Sequence, residues 1–475
     1  MTSTNYALLT DLYELTMANG YFLENKKDQI VYFDLYFRKI PDSGGYAVFA
    51  GLEEIINYIE NLKFTEEDIA FLESKNIFDK KFLDYLKDFK FTGNIYAFKE
   101  GTVMFPNEPI IIVKAKLIEA QIIETFLLQT VNHQSLIATK AARINYAAKG
   151  KTILEMGARR AHGASSSVNG ARAAYISGVS GTSNVLADKM FKVPSGGTMA
   201  HSWVQIFENE YEAFKAYAKH YPNNTTFLVD TYDTLKSGVP NAIKAIKEIL
   251  LPINAKNYAI RIDSGDLTYL SKEARKALDL AGLKDCKIVV SNSLDERLIN
   301  TLLNQGAPID IFGVGERLIT AKSDPVFGSV YKLVAAEKDG IIIPKIKISD
   351  NPEKITTPHY KSVYRIYSDN KAESDLITLE DESIDTSKPL TVFDPHFPWK
   401  TKTFTNYKLK NLLEPIFING DLVYQKPSLL EVRDYAKTEL TCFWDEIKRF
   451  DNPHKYYVDL SKKLWDIKQN LITTK

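Results

Sequence analysis

The sequence predicts an α/β protein: an irregular β/α barrel with an α+β domain before it and a smaller domain after it. Three observations carry this reading. Seven short apolar runs recur between Thr152 and Leu318, each ending in polar residues and glycines. Segments with helix start and stop signals separate several of them, and the rhythm of the chain on either side is different. Repeated strand-then-helix units imply a parallel sheet, and seven or eight of them suggest a closed barrel more than an open doubly wound sheet.

Residues 1–130 mix helical periodicity, in GLEEIINYIENL and TEEDIAFLESKNIFDKKFLDYLKDF, with the strand-like alternation of VYFDLYFRKI and NIYAFKEGTVMF, which reads as an N-terminal α+β domain. Residues 131–335 hold the barrel runs: TILEMGARR, AAYISGVSGTS, GTMAHSWV, TTFLVDTYDT, YAIRIDSGD, CKIVVSNSLDE and IDIFGVGERL. Between them, DLTYLSKEARKALDLAG sets Leu267, Leu270, Ala274, Leu278 and Ala281 on one face and closes with Gly282. DERLINTLLNQG has Asp295 in its first turn and Gly306 after its last, and PNAIKAIKEIL offers Pro240 as its first helical residue. Residues 336–475 pass through GIIIPKIKIS and a charged 365–390 region to a Lys-rich helical tail, a smaller C-terminal domain.

Composition removes several classes of function. Sixty Lys and Arg balance sixty Asp and Glu in 475 residues, so no overall field holds the protein to nucleic acid or to an anionic membrane, and any phosphate must be bound locally. Cys286 and Cys442, the only cysteines, are far apart and lack partners at metal-ligand spacing. That excludes a disulfide framework and a Cys-based zinc site, and fits a reducing, cytoplasmic home. The N-terminal MTSTNYALLTDLYELTMANGYF lacks a basic leader, and Asp11 and Glu14 interrupt its apolar stretch, so no secretion is expected. The most apolar segment, PIIIVKAKLIEAQIIETFLL, carries Lys114, Lys116, Glu119 and Glu124, and no membrane span is expected.

The chemistry concentrates at the predicted C-terminal ends of the strands, where barrel loops converge on one face. Gly181-Thr182-Ser183, Ser264-Gly265, Ser291-Asn292-Ser293 and Gly313-Val314-Gly315 offer free backbone N–H groups and hydroxyls, the chemistry of phosphate binding, although any one of them alone is also what a tight βα turn needs. Arg159-Arg160, Arg172, Arg261, Arg317 and Lys332 join them and point to an anionic substrate with more than one phosphate or carboxylate. Asp230 and Asp263 directly follow apolar runs; a carboxylate there can hold Mg²⁺ on a phosphate, accept ribose hydroxyl hydrogen bonds or orient a histidine. Asp233 and Asp266 read instead as helix caps. Of seven histidines, His201 in GGTMAHSW stands at the end of a strand-like run as a candidate nucleophile or general base, with a structural histidine as the alternative and His162 as the next candidate.

In order along the chain, LLTDLYELTMANGYF, LEMGARRAHG, GTSNVLA, GTMAHSW, LVDTYDT, IRIDSGDL, SNSLDE and FGVGERL resemble the nicotinate phosphoribosyltransferase family from Thr10 to about Leu333. The resemblance implies a type II phosphoribosyltransferase fold and a homodimer whose sites are shared between subunits. It implies transfer of phosphoribosyl from phosphoribosyl pyrophosphate to nicotinate, coupled to ATP hydrolysis with Mg²⁺. His201 then corresponds to a histidine phosphorylated by ATP, oriented by Asp230, with Asp263 near the ribose and the metal. Arg261 and Arg159 meet the pyridine substrate, and Tyr13, from the neighbouring subunit, lies on its ring. Ser291, Asn292, Ser293, Gly313 and Gly315 cradle the 5′-phosphate, with Arg38 and Lys332 on the pyrophosphate.

One position departs from the family: Met156 stands where a phenylalanine usually forms the second side of the ring sandwich, and its thioether can still contact a ring. The nicotinamide-using relatives typically carry an aspartate where this chain has Ser183, and that charge would repel an acid, so Ser183 favours nicotinate. A phosphosugar aldolase or isomerase would need a lysine or an acid/base pair at a strand end, and none of the seven runs ends in lysine.

Overall fold

The computed structural model describes residues 5–474. They form two compact units, one of residues 137–325 and one made of the segments before and after it.

The unit of residues 137–325 is built on a six-stranded, wholly parallel sheet in the spatial order Gly181–Thr182, Thr152–Glu155, Ile311–Val314, Lys287–Ser291, Tyr258–Ile262, Thr225–Leu228. Ile153, Phe227, Ile260, Ile262, Ile288, Val290, Phe312 and Val314 are buried, the near-continuous apolar pattern of parallel strands covered on both faces. The intervening helices include Ala164–Ile176, Leu267–Leu280 and Glu296–Asn304. Their ends follow local chemistry. The Asp266 carboxylate accepts the Tyr269 N–H at 2.8 Å, Asp295 that of Leu298 at 2.8 Å, and Asp233 those of Leu235 and Lys236, each satisfying amides the first turn leaves open.

Two runs differ from the sequence reading. AAYIS ends the helix Ala164–Ile176, leaving only Gly181–Thr182 as strand. GTMAHSWV forms no strand: after a single bridge between Thr182 and Ser195, the chain turns into the short helix His201–Gln205. Pro194 has no N–H to give a ladder, and Gly196 and Gly197 have no side chains to pack. Among the described residues nothing therefore joins the edge strands Gly181–Thr182 and Thr225–Leu228, and the barrel is a half-barrel, open where His201 sits. Pro240 does not open its helix: helical backbone begins at Thr234, capped by Asp233, and continues through Val239–Ala245. Pro240 therefore lies inside it, just after the wider π-type turn Thr234–Gly238, an irregularity of the kind that accommodates a residue without an N–H.

The second unit interleaves the two ends of the chain. Its seven-stranded antiparallel sheet runs Ile341–Pro344, Val330–Lys338, Ile30–Tyr36, Ile111–Lys116, Asn94–Ala97, Glu414–Ile418, Asp421–Leu422. The expected division at 130 and 335 is thus crossed by the sheet itself: Val330–Lys338 pairs with Ile30–Tyr36, and Glu414–Ile418 with Asn94–Ala97. Buried ion pairs tie the same segments together. Lys361 Nζ lies 2.8 Å from Asp34, and Arg365 bonds Asp375, Glu439 and the Val103 carbonyl. Two charges of the 365–390 region, Arg365 and Asp375, belong to this network and are fully buried. No described helix is long and apolar enough to cross a membrane.

Candidate active site

Adjacent strands of the half-barrel end in one hydrogen-bonded chain of polar groups. His201 Nε2 lies 3.1 Å from Asp230 Oδ1; the carboxylate is buried, while the imidazole is 41 % exposed. The other oxygen, Oδ2, accepts the Asp263 N–H at 2.9 Å and the Ser264 hydroxyl at 2.6 Å. Asp230 is therefore anchored to the next strand end, and its free oxygen holds the imidazole in one orientation. With Nε2–H donated to Asp230, Nδ1 carries the lone pair.

Arg261 extends the chain. Its Nε donates to Ser291 Oγ at 2.9 Å, Nη1 to Thr198 Oγ1 at 2.8 Å and Nη2 to Asp263 Oδ1 at 3.1 Å. Ser291 in turn donates its hydroxyl to Asp263. Three of the five guanidinium donors are used, and two stay available for a carboxylate or phosphate. Thr198 and His201 bring the segment that replaces the missing strand onto this network from the open edge.

The glycine and serine loops lie at the neighbouring strand ends. Asn292 and Ser293 adopt positive φ values of 92° and 50° in succession, an uncommon backbone state for non-glycine residues that concentrates at functional sites. Gly313 pairs with Ser291 across the sheet, and a Cβ on it would fall 2.7 Å from Met156 Sδ, so the Met156 thioether lies across bare backbone. Gly315 approaches the Met156 carbonyl in the same way, at 3.1 Å from where its Cβ would be. Arg159 is exposed in the turn Ala158–Arg160, and Ser183 is exposed with its N–H donating to the Glu155 carbonyl at 2.8 Å. His162 is exposed and takes no part in the Asp230 network.

Three predicted residues belong to the other unit. Tyr13 lies on the helix Leu12–Leu23 and is half exposed; burial, with the negative charge of Glu124 beside it, raises its phenol above the ordinary value. Lys332, in the strand Val330–Lys338, is held below the usual lysine range by burial and by the like charges of Arg38 and Lys347, against the opposing pull of Glu124. Arg38 Nε is buried with no hydrogen-bond partner among the described residues. Arg38, Lys332 and Lys347 thus concentrate positive charge, which suits an anion.

Two residues of the site escaped the sequence reading. Glu155 is a buried acid at the end of an apolar run, as Asp230 and Asp263 are, and the same rule applied to TILE would have found it. Thr198 gave no signal beyond a hydroxyl next to two glycines.

Comparison with known proteins follows the same outline. Residues 8–132 match the nicotinate phosphoribosyltransferase (NAPRTase) N-terminal domain, 151–378 the nicotinate phosphoribosyltransferase (NAPRTase) family and 360–468 the nicotinate phosphoribosyltransferase C-terminal domain. A nicotinate phosphoribosyltransferase of Bacillus subtilis is 50 % identical over 468 residues, covering 98 % of this chain and 95 % of the relative. The Homo sapiens protein of that name is 31 % identical over 516 residues, covering 96 % and 95 %. The crystal structure of human nicotinic acid phosphoribosyltransferase superposes with a TM-score of 0.85 at 29 % identity, covering 98 % of this chain and all of that one. A nicotinate-nucleotide pyrophosphorylase from Pyrococcus furiosus gives 0.70 at 25 % identity over 92 % and 95 %.

A parallel half-barrel with glycine- and serine-rich loops and a histidine–aspartate pair at its strand ends, in this structural company, is a type II phosphoribosyltransferase. Its relatives agree over nearly the full length of both chains. The chain belongs to the nicotinate phosphoribosyltransferase family, and it is an enzyme that converts nicotinate and phosphoribosyl pyrophosphate into nicotinate mononucleotide and pyrophosphate in NAD salvage.

Proposed function

We propose that the enzyme couples this transfer to ATP through phosphorylation of His201. The observation that carries the proposal is the orientation of His201 by a buried, doubly anchored Asp230. With Nε2–H turned to the carboxylate, Nδ1 attacks the γ-phosphorus of ATP; the N–P bond forms as the bond to the ADP oxygen breaks. Asp230 stabilises the positive charge that develops on the ring.

Phosphoribosyl transfer itself passes through a loose, oxocarbenium-like ribosyl cation with pyrophosphate leaving, so positioning and charge stabilisation are what the protein supplies. The two free N–H groups of Arg261 face this task for the nicotinate carboxylate, with Arg159 near it and Ser183 where an acid would repel it. Met156 takes one side of the pyridine ring, and Tyr13 supplied by a neighbouring subunit takes the other, in a homodimer with shared sites. Ser291, Asn292, Ser293, Gly313 and Gly315 hold the 5′-phosphate. For Ser291 the role is indirect, because its hydroxyl is committed to Asp263. The positive cluster of Arg38 and Lys332 serves the pyrophosphate.

Asp263 fits the Mg²⁺ role. Its Oδ1 is bound to Arg261 and Ser291, and among the described residues no group hydrogen-bonds to Oδ2. A cation there would be held by this one carboxylate together with the substrate's own phosphates. When bound, Mg²⁺ neutralises charge on the leaving pyrophosphate. A cytoplasmic location agrees with two free cysteines.

The test is His201→Ala. Nicotinate-dependent acceleration of ATP hydrolysis and acid-labile phosphate on the protein are expected to vanish, while slow ATP-independent transfer survives. Acid-labile phosphate retained on the alanine variant would move the role to another residue.

A further inference from the structure

We propose that Glu155 is a positioning residue that sets the choice of acid over amide, by locking together the two loops that carry Met156, Arg159 and Ser183. The inference rests on the assignment of Ser183 and Arg159 to the pyridine pocket.

Glu155 ends the strand Thr152–Glu155 and is fully buried. One carboxylate oxygen accepts the N–H of Gly157, the first residue of the turn that leads to Arg159. The other accepts the Thr182 hydroxyl at 2.6 Å. Its backbone carbonyl accepts the Ser183 N–H at 2.8 Å. A single residue therefore ties both loops at three points, and among the described residues its carboxylate has no cation as a partner. Burial raises its pKa, and the two hydrogen bonds oppose that rise. A buried acid held only by an amide and a hydroxyl is an expensive choice for stability alone, since an apolar side chain would fill the same space.

What the acid secures is register. Thr182 Oγ1 also accepts the Asn184 N–H at 3.0 Å, and Asn184 caps the helix Val185–Phe191 while donating to Ser167 Oγ at 2.8 Å. The Glu155–Thr182 bond thus fixes the residues on both sides of Ser183. Across the site, Gly157 has no room for a side chain: a Cβ would lie 2.6 Å from Ile319 Cγ2 and 2.8 Å from Glu155 Oε1. The peptide that Glu155 holds is pressed between the acid and Ile319, which defines where the Arg159 turn begins. Two lone-pair-bearing oxygens facing two donors is an arrangement only a carboxylate meets in full. A glutamine offers one oxygen and an amide that can only donate.

Thr182→Val removes one arm of the clamp at constant volume, and Glu155→Gln weakens it. Each is expected to raise KM for nicotinate about tenfold, the loss of one hydrogen bond to a charged group, and to narrow the nicotinate-to-nicotinamide ratio of kcat/KM. KM for phosphoribosyl pyrophosphate should change less than about twofold. Thr182→Ser, which keeps the hydroxyl, restores the ratio, and Glu155→Gln with Thr182→Val is less than additive because both cut one bond. A general loss of folding would move both KM values and thermal stability together, and if Glu155→Gln does not fold, Thr182→Val carries the test alone. Unchanged nicotinate KM and ratio in folded Thr182→Val, with Ser183→Asp altering the ratio, would overturn the clamp and leave the pocket assignment standing. No change in either protein would remove the pocket assignment and the clamp with it.

Discussion

Replacing Asp230 by asparagine changes one atom at the centre of the network. In the native protein, Oδ2 takes two hydrogen bonds, from the Asp263 N–H and the Ser264 hydroxyl, and Oδ1 takes the His201 Nε2–H. Both donors on the Oδ2 side need an acceptor, so the asparagine oxygen must stay there and its NH₂ must face His201. Nε2 then has to accept, the ring proton moves to Nδ1, and the lone pair that attacks ATP is gone. Loss of a hydrogen bond to a charged group alone removes about 1.5–3 kcal/mol, or roughly 10- to 150-fold in rate. Where an asparagine imposes the wrong tautomer in a Ser-His-Asp triad the loss reaches about 10⁴, which sets the upper bound. The assay is single-turnover formation of acid-labile phosphoenzyme from γ-labelled ATP, with thermal unfolding to show that the fold is retained. Phosphorylation of a folded Asp230→Asn protein within about twofold of wild type would refute the tautomer argument.

Three further outcomes follow from the same geometry. Tyr13→Ala and His201→Ala proteins, each weak alone, should recover activity when co-folded as mixed dimers, and an active monomer in sedimentation would rule out the shared site. Wild-type enzyme should prefer nicotinate to nicotinamide by roughly ten- to a hundredfold in kcat/KM, from a charge-assisted contact with Arg261 of about 1.5–3 kcal/mol; Ser183→Asp should narrow or reverse that preference, and an unchanged ratio would place discrimination elsewhere. Asp459, pushed up to about 7 by burial and by the charge of Asp394, binds its proton more tightly folded than unfolded. Its contribution to stability is full below the unfolded value of about 4 and is lost as pH rises toward 7, so Asp459→Asn should flatten the fall in Tm across that window, and parallel Tm curves for both proteins would contradict it.

Much of this protein was legible in local sequence, and the reason is that the signals are local. A parallel strand buried on both faces must be apolar throughout, so TILE, TTFL and KIVVS announce themselves. A helix start needs an acceptor for its open amides, so Asp233, Asp266 and Asp295 were readable as residues of helix starts from the sequence around them. Asp230, Asp263 and His201 could be singled out because a polar residue immediately beyond an apolar run has little structural reason to be there, and the ordered motifs around them carried the family.

Tertiary structure decided what depends on residues far apart in the chain. The apolar run of GTMAHSWV reads as a strand by itself; in the fold its pairing stops at the single bridge between Thr182 and Ser195, beside Pro194, Gly196 and Gly197. The chain then enters the short helix His201–Gln205, and the barrel is left open there. The ends of the chain merge into one unit because Ile30–Tyr36 finds its partner strand some three hundred residues later, at Val330–Lys338, a pairing that periodicity within either segment does not encode. The same holds for the buried charges. Asp34 with Lys361, and Arg365 with Asp375 and Glu439, read as surface residues until the fold removes water from them and makes each the necessary partner of the other. Glu155 follows that rule at the site: its residue type and place were visible, but its two donors, one of them twenty-seven residues away, exist only in the folded sheet.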